Sequence, residues 1–230
     1  MKKVVLKSFA KINLSLDVKE KLENGYHEVD MIMQQLEFHD DITISFQEDK
    51  TKGNGEIDIN ISTNKYYLPT DQRNLAYKAS QIIIERFGDK IAGGILTIYI
   101  CKRIPVAAGL AGGSSNAAMV LMGLNQIWNL ELTKEQLCEI GAEIGSDVPF
   151  CMVGGCARAV GTGIEIEKQK PFKGYVVLAK PPMGVSTKEV YEGKNNYSII
   201  CRPNNDEMTK AIDKHDYKLV YKNMINVLEL

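Results

Sequence analysis

The chain has 230 residues, 44% of them hydrophobic, with 28 Lys and Arg against 29 Asp and Glu and a formal net charge of −1. That length and apolar content support one large domain or two small ones around a buried core, and they exclude disorder and collagen-like repeats. Charge this balanced, at a sequence pI of about 6.3, lacks the basic surplus that neutralises phosphates in polyanion binders, so nucleic acid is not an expected partner.

The opening Met1-Lys2-Lys3-Val4-Val5-Leu6-Lys7 has the charged start of an export signal, but Lys7 interrupts its apolar run. No stretch reaches the ~20 apolar residues of a membrane span. The expectation is a cytoplasmic protein without a membrane partner. The five cysteines, Cys101, Cys138, Cys151, Cys156 and Cys201, include no C-x-x-C pair. They read as reduced, mostly buried thiols rather than a disulfide framework or zinc ribbon.

Residues 8–18 alternate, with Ala10, Ile12, Leu14, Leu16 and Val18 on one side and Phe9, Lys11, Asn13, Ser15 and Asp17 on the other. This predicts a half-buried strand. Ile42/Ile44/Phe46 and Ile57/Ile59/Ile61 repeat the pattern, the second fenced by a turn at Gly53-Asn54-Gly55. From Asn74 the period becomes helical through Leu75, Ala79, Ile82, Ile83 and Phe87, with Gly88 as the stop. A strand returns over 94–104 and closes at Pro105. A helix is predicted from near Ser115, on Ala117, Val120, Leu121 and Leu124. Another follows Thr133, whose partner Gln136 completes a capping box. Tyr175-Val176-Val177-Leu178-Ala179 reads as a strand ended by Pro181-Pro182. Val220, Met224, Val227 and Leu228 share one helical stripe that stops while still apolar, so packing partners further along a longer chain are expected. Strand runs with separated helices indicate an α+β fold rather than a regular βαβ array. The expected domain seam lies near Lys168–Pro171.

The segment Pro105-Val106-Ala107-Ala108-Gly109-Leu110-Ala111-Gly112-Gly113-Ser114-Ser115 joins a strand to a helix with almost only small residues. Backbone N–H groups can converge there on an anion, helped by the partial positive charge of the helix start. Ser114 and Ser115 would offer hydroxyls to phosphate oxygens or Mg²⁺. The competing reading is a sharp turn with a serine N-cap; three glycines, two serines and the alanine run favour phosphate. There is no Walker A sequence and no G-x-G-x-x-G. Gly113-x-Ser115-x-Ala117 approaches a hydrolase nucleophile elbow, with Asp147 and His215 downstream in the required order, but a lone histidine in a polar C-terminal stretch is more often a surface residue.

With that loop in view, the chain resembles the GHMP kinases, which include galactokinase, homoserine kinase, mevalonate kinase and phosphomevalonate kinase. AKINLSL (10–16), NGYHEVDMIMQ (24–34) and GSDVPF (145–150) narrow the resemblance to the 4-diphosphocytidyl-2-C-methyl-D-erythritol kinase family of the non-mevalonate isoprenoid pathway. The resemblance implies a two-domain fold. Residues 1–168 would form a ribosomal-protein-S5-like ATP-binding and catalytic domain, and residues 169–230 an incomplete ferredoxin-like domain. It implies transfer of phosphate from ATP, with Mg²⁺, to the 2-hydroxyl of a small cytidine diphosphate substrate; the alternatives are another small alcohol or an inactive, nucleotide-binding fragment.

The same resemblance makes Lys11 and Asp147 the catalytic pair, with Asp147 taking the hydroxyl proton. It gives Asn74 and Leu75 to the adenine region and residues 105–115 to the phosphates. Asn13, Tyr26, His27 and Tyr191 fall to the substrate, the two tyrosine rings stacking on cytosine. No metal ligand set follows from it. A lysine ~4 Å from a carboxylate interacts by ~4 kcal/mol at an effective dielectric of ~20, which weakens the carboxylate as a base. Lys11 would therefore align groups and offset transferring charge rather than strengthen Asp147. The chain departs from many relatives in having Ala107, Ala108 and Ala111 for glycine and Asn116 for Asp. Nothing after Pro203 matches the family's second glycine-rich segment.

Overall fold

The computed structural model describes residues 1–23, 25, 27–180, 199 and 201–229. Contacts divide the chain into two compact units of interleaved segments: 1–10, 37–105 and 111–152 form the first, and 11–36, 106–110 and 153–230 the second. Strands β1 (Lys2–Lys21) and β2 (His27–Glu48) supply residues to both.

In the first unit, β2 pairs antiparallel with β4 (Gly94–Cys101), matching Ile42 with Ile100, Ile44 with Ile98 and Phe46 with Leu96. β3 (Ile57–Thr63) joins the other edge of β4 in parallel. The alternation dictates the burial: Ile42, Ile44, Leu96 and Ile98 are fully buried, whereas Ile95 and Tyr99, on the opposite face of β4, are exposed. Helices α1 (Leu75–Phe87), α2 (Gly112–Trp128), α3 (Lys134–Ile144) and α4 (Asp147–Val153) complete the unit. Their Ala79, Ile83, Leu121, Leu124, Leu137, Ile140 and Val148 close one continuous core over the sheet, each large side chain contributing roughly 1.5–3 kcal/mol by leaving water.

The local signals act as expected. The Asn74 side chain caps α1 by accepting from the Ala76 N–H at 3.0 Å, and Gly88 ends that helix. Thr133 and Gln136 form the reciprocal capping box of α3. Glu56 N–H donates to Gly53 O across the glycine turn at 3.2 Å. α2, however, begins at Gly112 rather than near Ser115, because Ala111 turns left-handed and starts the helix on glycines that carry no helical pattern.

In the second unit, β2 pairs antiparallel with β5 (Cys156–Gly161), and β5 turns back into β6 (Glu165–Gln169). Helices α5 (Asn205–Lys214) and α6 (Tyr217–Lys222) pack Met208, Ala211, Ile212 and Val220 on Leu14, Ile32 and Cys156. This changes the reading of β1. Ser15 and Asp17, assigned to its solvent side, are buried, because Ser15 donates to Asn205 Oδ1 at 2.6 Å and Arg202 donates to Asp17.

Three other expectations are corrected. Residues 175–179 form no strand: none of the described residues pairs with them, and Tyr175 and Val177 are exposed. A strand without a ladder leaves its backbone groups to water, whatever its side-chain propensity. The C-terminal stripe is not one helix. α6 ends at Lys222 with Asn223 as its cap, and the chain then runs alongside β1, with Leu16 N–H donating to Ile225 O at 2.9 Å and Val227 N–H to Leu16 O at 3.0 Å. Of the cysteines, Cys156 is buried, three are half-buried and Cys201 is exposed. Burial pushes the Cys156 thiol up to about 11. Pro181 and Pro182 lie outside the described residues. No helix among the described residues is long and apolar enough to cross a membrane.

Candidate active site

The glycine-rich segment leaves β4 through Lys102–Ile104. Ala107, Gly109 and Ala111 take left-handed backbone angles, φ 52°, 70° and 53°. Those reversals carry the chain into α2 with no side-chain cap and no acidic residue in its first turn. The first intrahelical donor there is Ser115, whose N–H reaches Ala111 O at 2.8 Å. The N–H groups of Gly112, Gly113 and Ser114 thus stand at the positive end of the helix dipole without intrahelical acceptors. Gly113 is exposed and its two neighbours half-buried, and none of the three donors carries a bulky side chain of its own. An anion fits that arrangement.

The start of α1 lies beside it. A methyl group added at Gly113 would sit 3.5 Å from Leu75 Cδ1, so the residues expected near adenine and those expected near phosphate adjoin within the first unit. The Asn74 side chain is engaged locally, accepting from Ala76 and donating to Pro69 O at 2.8 Å. An open depression of about 470 Å³ precedes α1, lined by Thr70, Asp71, Gln72, Arg73 and Tyr77. In its wall the Arg73 guanidinium holds the Asp71 carboxyl down at about 2.

The two serines separate. Ser114 is half-buried. Ser115 is 1% exposed, and its Oγ accepts a hydrogen bond from Ser8 Oγ at 2.8 Å. The expectation that Ser115 supplies a hydroxyl to phosphate or metal is therefore corrected: the side chain faces inward because it occupies the core side of the first full turn of α2. The same burial disposes of the nucleophile elbow.

In the second unit, Lys11 is 6% exposed, so it is a buried lysine rather than a solvated one. Its Nζ donates to Asn13 Oδ1 at 3.1 Å, as two residues on one strand face can. Its backbone N–H donates to Leu110 O at 3.1 Å, so the strand holding Lys11 is stitched to the glycine-rich segment. Pro105 and Val106 are exposed and Ala108 half-buried. Asp147, in the first unit, is the first residue of α4 and half-buried. Its helix is seated by Gly141 of α3: a methyl there would come within 2.8 Å of Val148 Cγ1. His27 opens β2 and is half-buried. Tyr26 and Tyr191 lie outside the described residues.

Sequence reasoning passed over Ser8, Asp40 and Lys102, all buried beneath the loop. A signal was present: each falls in the apolar phase of its strand, Asp40 with Ile42 and Ile44, Lys102 with Ile98 and Ile100, and Ser8 with Ala10 and Ile12.

Known proteins share this architecture. Residues 74–155, from the cap of α1 to the turn after α4, match the family model for the GHMP kinases N terminal domain. The 4-diphosphocytidyl-2-C-methyl-D-erythritol kinase of Alkaliphilus metalliredigens is 49% identical over 233 residues, covering 100% of this chain and 76% of that protein. The protein of the same name from Clostridium novyi is 43% identical over 224 residues, covering 97% and 76%. A crystal structure of 4-(cytidine 5'-diphospho)-2C-methyl-D-erythritol kinase superposes with a TM-score of 0.67 at 27% identity, covering 92% of this chain and 72% of that one. Homoserine kinase from Cytophaga hutchinsonii shares the fold with a TM-score of 0.68 at 17% identity, covering 98% and 72%. The chain belongs to the 4-diphosphocytidyl-2-C-methyl-D-erythritol kinase family of ATP-dependent GHMP kinases.

Proposed function

We propose that the chain transfers the terminal phosphoryl group of ATP to the 2-hydroxyl of 4-diphosphocytidyl-2-C-methyl-D-erythritol. The observation that carries this reading is the row of three N–H groups at Gly112–Ser114 with Leu75 against Gly113: a triphosphate on the first leaves its nucleoside at the second. Residues 105–111 form the loop around the phosphates, and Asn74 fixes Leu75 by capping its helix. The first unit carries the Gly112–Ser114 cradle, Leu75 and Asp147, and residues 169–230 form part of the second.

Asp147 accepts the proton of the substrate hydroxyl as its oxygen bonds to the γ-phosphorus and the bond to ADP breaks. Phosphoryl transfer depends chiefly on positioning and charge, and Lys11, held by Asn13, supplies the positive charge that offsets the transferring group. These two roles rest on the motifs AKIN and GSDVP. On the same basis Asn13 and His27 contact the substrate, and Tyr26 and Tyr191 take the cytosine. Mg²⁺ neutralises the triphosphate when bound. The half-buried Ser114 hydroxyl on the first turn of α2 is the protein oxygen that would reach that ion, the remaining ligands being nucleotide oxygens and water. The setting is the cytoplasm, where thiols such as Cys201 stay reduced.

A coupled ADP-release assay on the wild-type chain tests the reading. Turnover with the cytidine diphosphate methylerythritol and not with homoserine, mevalonate or galactose is expected. No turnover with it, or faster turnover with a control, contradicts the proposal.

A further inference from the structure

Beneath the phosphate loop lies a polar network that the proposed chemistry does not use. The carboxylate of Asp40, fully buried in β2, accepts four hydrogen bonds. Its Oδ1 takes the backbone N–H groups of Arg103 at 2.6 Å and Ile104 at 2.8 Å. Its Oδ2 takes Lys102 Nζ at 2.6 Å and Asn116 Nδ2 at 2.9 Å. Asn116 also donates to Ser8 Oγ at 2.8 Å, and Ser8 donates in turn to Ser115 Oγ at 2.8 Å. Each of these side chains is buried. Lys102 passes directly under the cradle: a methyl group at Gly112 would lie 2.5 Å from its Nζ.

The Asp40 carboxylate thus ties β2 to the exit of β4 and the first turn of α2, and Ser8 ties β1 to the same turn. Stability alone does not account for this choice, since well-packed apolar residues serve as well as or better than a buried ion pair. Charged, fully satisfied networks do specify one geometry. The element held here is the helix turn whose N–H groups make the cradle, a turn entered through strained Ala111 and lacking any side-chain cap.

We propose that Asp40, Asn116 and Ser8 are positioning residues that set ATP affinity by fixing the first turn of α2 with the Gly112–Ser114 N–H groups convergent on the triphosphate. This rests on the reading of that turn as the phosphate site. Lys102 secures Asp40 and lies against the space a side chain at residue 112 would take.

Calorimetric titration of the chain with Mg-ATP, each variant kept well below its melting temperature, tests it. Asn116→Ala cuts the tie between Asp40 and the helix, Ser8→Ala cuts the tie between β1 and the helix, and both leave the Asp40–Lys102 pair. Each should raise the ATP dissociation constant by about tenfold, the cost of stranding one buried polar group. The KM for ATP should rise in parallel while the KM for the alcohol stays within about twofold. Ser15→Ala is the control, breaking an equally buried hydrogen bond, to Asn205, within the second unit: it should lower the melting temperature and leave ATP affinity within about twofold. The inference is overturned if both loop variants bind ATP like wild type, if Ser15→Ala weakens ATP as much as they do, or if the wild-type chain does not bind ATP. Wild type that binds ATP but phosphorylates none of the alcohols defeats the proposed function alone, and the dissociation constants still decide this one.

Discussion

Ala107 and Ala111 hold left-handed backbone angles that cost a residue with a Cβ roughly 1–2 kcal/mol. Glycine escapes that cost but loses about 0.5–1 kcal/mol of extra chain entropy on folding. Replacing both by glycine should stabilise the chain by about 1 kcal/mol, a rise of roughly 2–4 °C in melting temperature; a scan showing no rise would place the strain elsewhere. The run of small residues was legible in the sequence, but the sign of φ was not, because nothing in such a run reports it. Lys11 and Ser115 show the same limit. Alternation placed Lys11 on the polar face of its strand, yet burial is set by what covers the face. Asp147→Asn keeps the shape of the side chain and removes the base. It should lower kcat by about 10²–10⁴-fold with ATP affinity within about twofold, measured by ADP release and calorimetry. An unaltered kcat would remove Asp147 from proton transfer.

Elements with complete local signals were the readable ones. α1 and α3 announce both periodicity and caps, and the interior strands carry clean alternation. α5 was missed although Asn204 caps it by accepting from Glu207 N–H at 3.0 Å and Met208, Ala211 and Ile212 share its buried face; its short apolar stripe sits in a strongly polar stretch. The strand expected at 175–179 failed for the opposite reason, strong propensity without a pairing strand among the described residues. α5 also anchors a charged cluster. Arg158 of β5 donates to Asp30 at 2.8 and 2.7 Å and to Asp206 of α5 at 2.6 Å. Burial pushes the Asp30 carboxyl up, but its bonds with Arg158 and Asn205 outweigh this and hold it below the ordinary carboxylate range. A depressed native value means that the unfolded chain binds the proton more readily. The contribution is therefore complete above about pH 4 and lost as pH falls through the native value. Arg158→Met should flatten the acid limb of a urea-stability profile; a limb of unchanged slope would exclude this pair as its source. Close approach is equally specific. A methyl group at Gly94 would meet Gln47 O at 2.3 Å, so Gly94→Ala should destabilise by about 1–3 kcal/mol, read from urea denaturation, and wild-type stability in that variant would contradict the β2–β4 register.

At the scale of the whole molecule, the α+β character and the order of motifs could be read from the sequence, whereas the interleaving of the two units could not. β1 and β2, of 20 and 22 residues, each pass through both, and a strand long enough to do so gives no break in composition where it crosses. The motifs are divided accordingly: the Gly112–Ser114 cradle, Leu75 and Asp147 lie in one unit, Lys11, Asn13 and His27 in the other. The chain spans about three-quarters of the length of its curated relatives. What unites these parts is the claim that the first turn of α2 receives the triphosphate of ATP. A crystal structure of the chain with a nonhydrolysable ATP analogue measures that directly. Phosphate oxygens within about 2.7–3.2 Å of the Gly112, Gly113 and Ser114 nitrogens, with the nucleoside beside Leu75, is the predicted result; a triphosphate bound away from that turn would contradict the account.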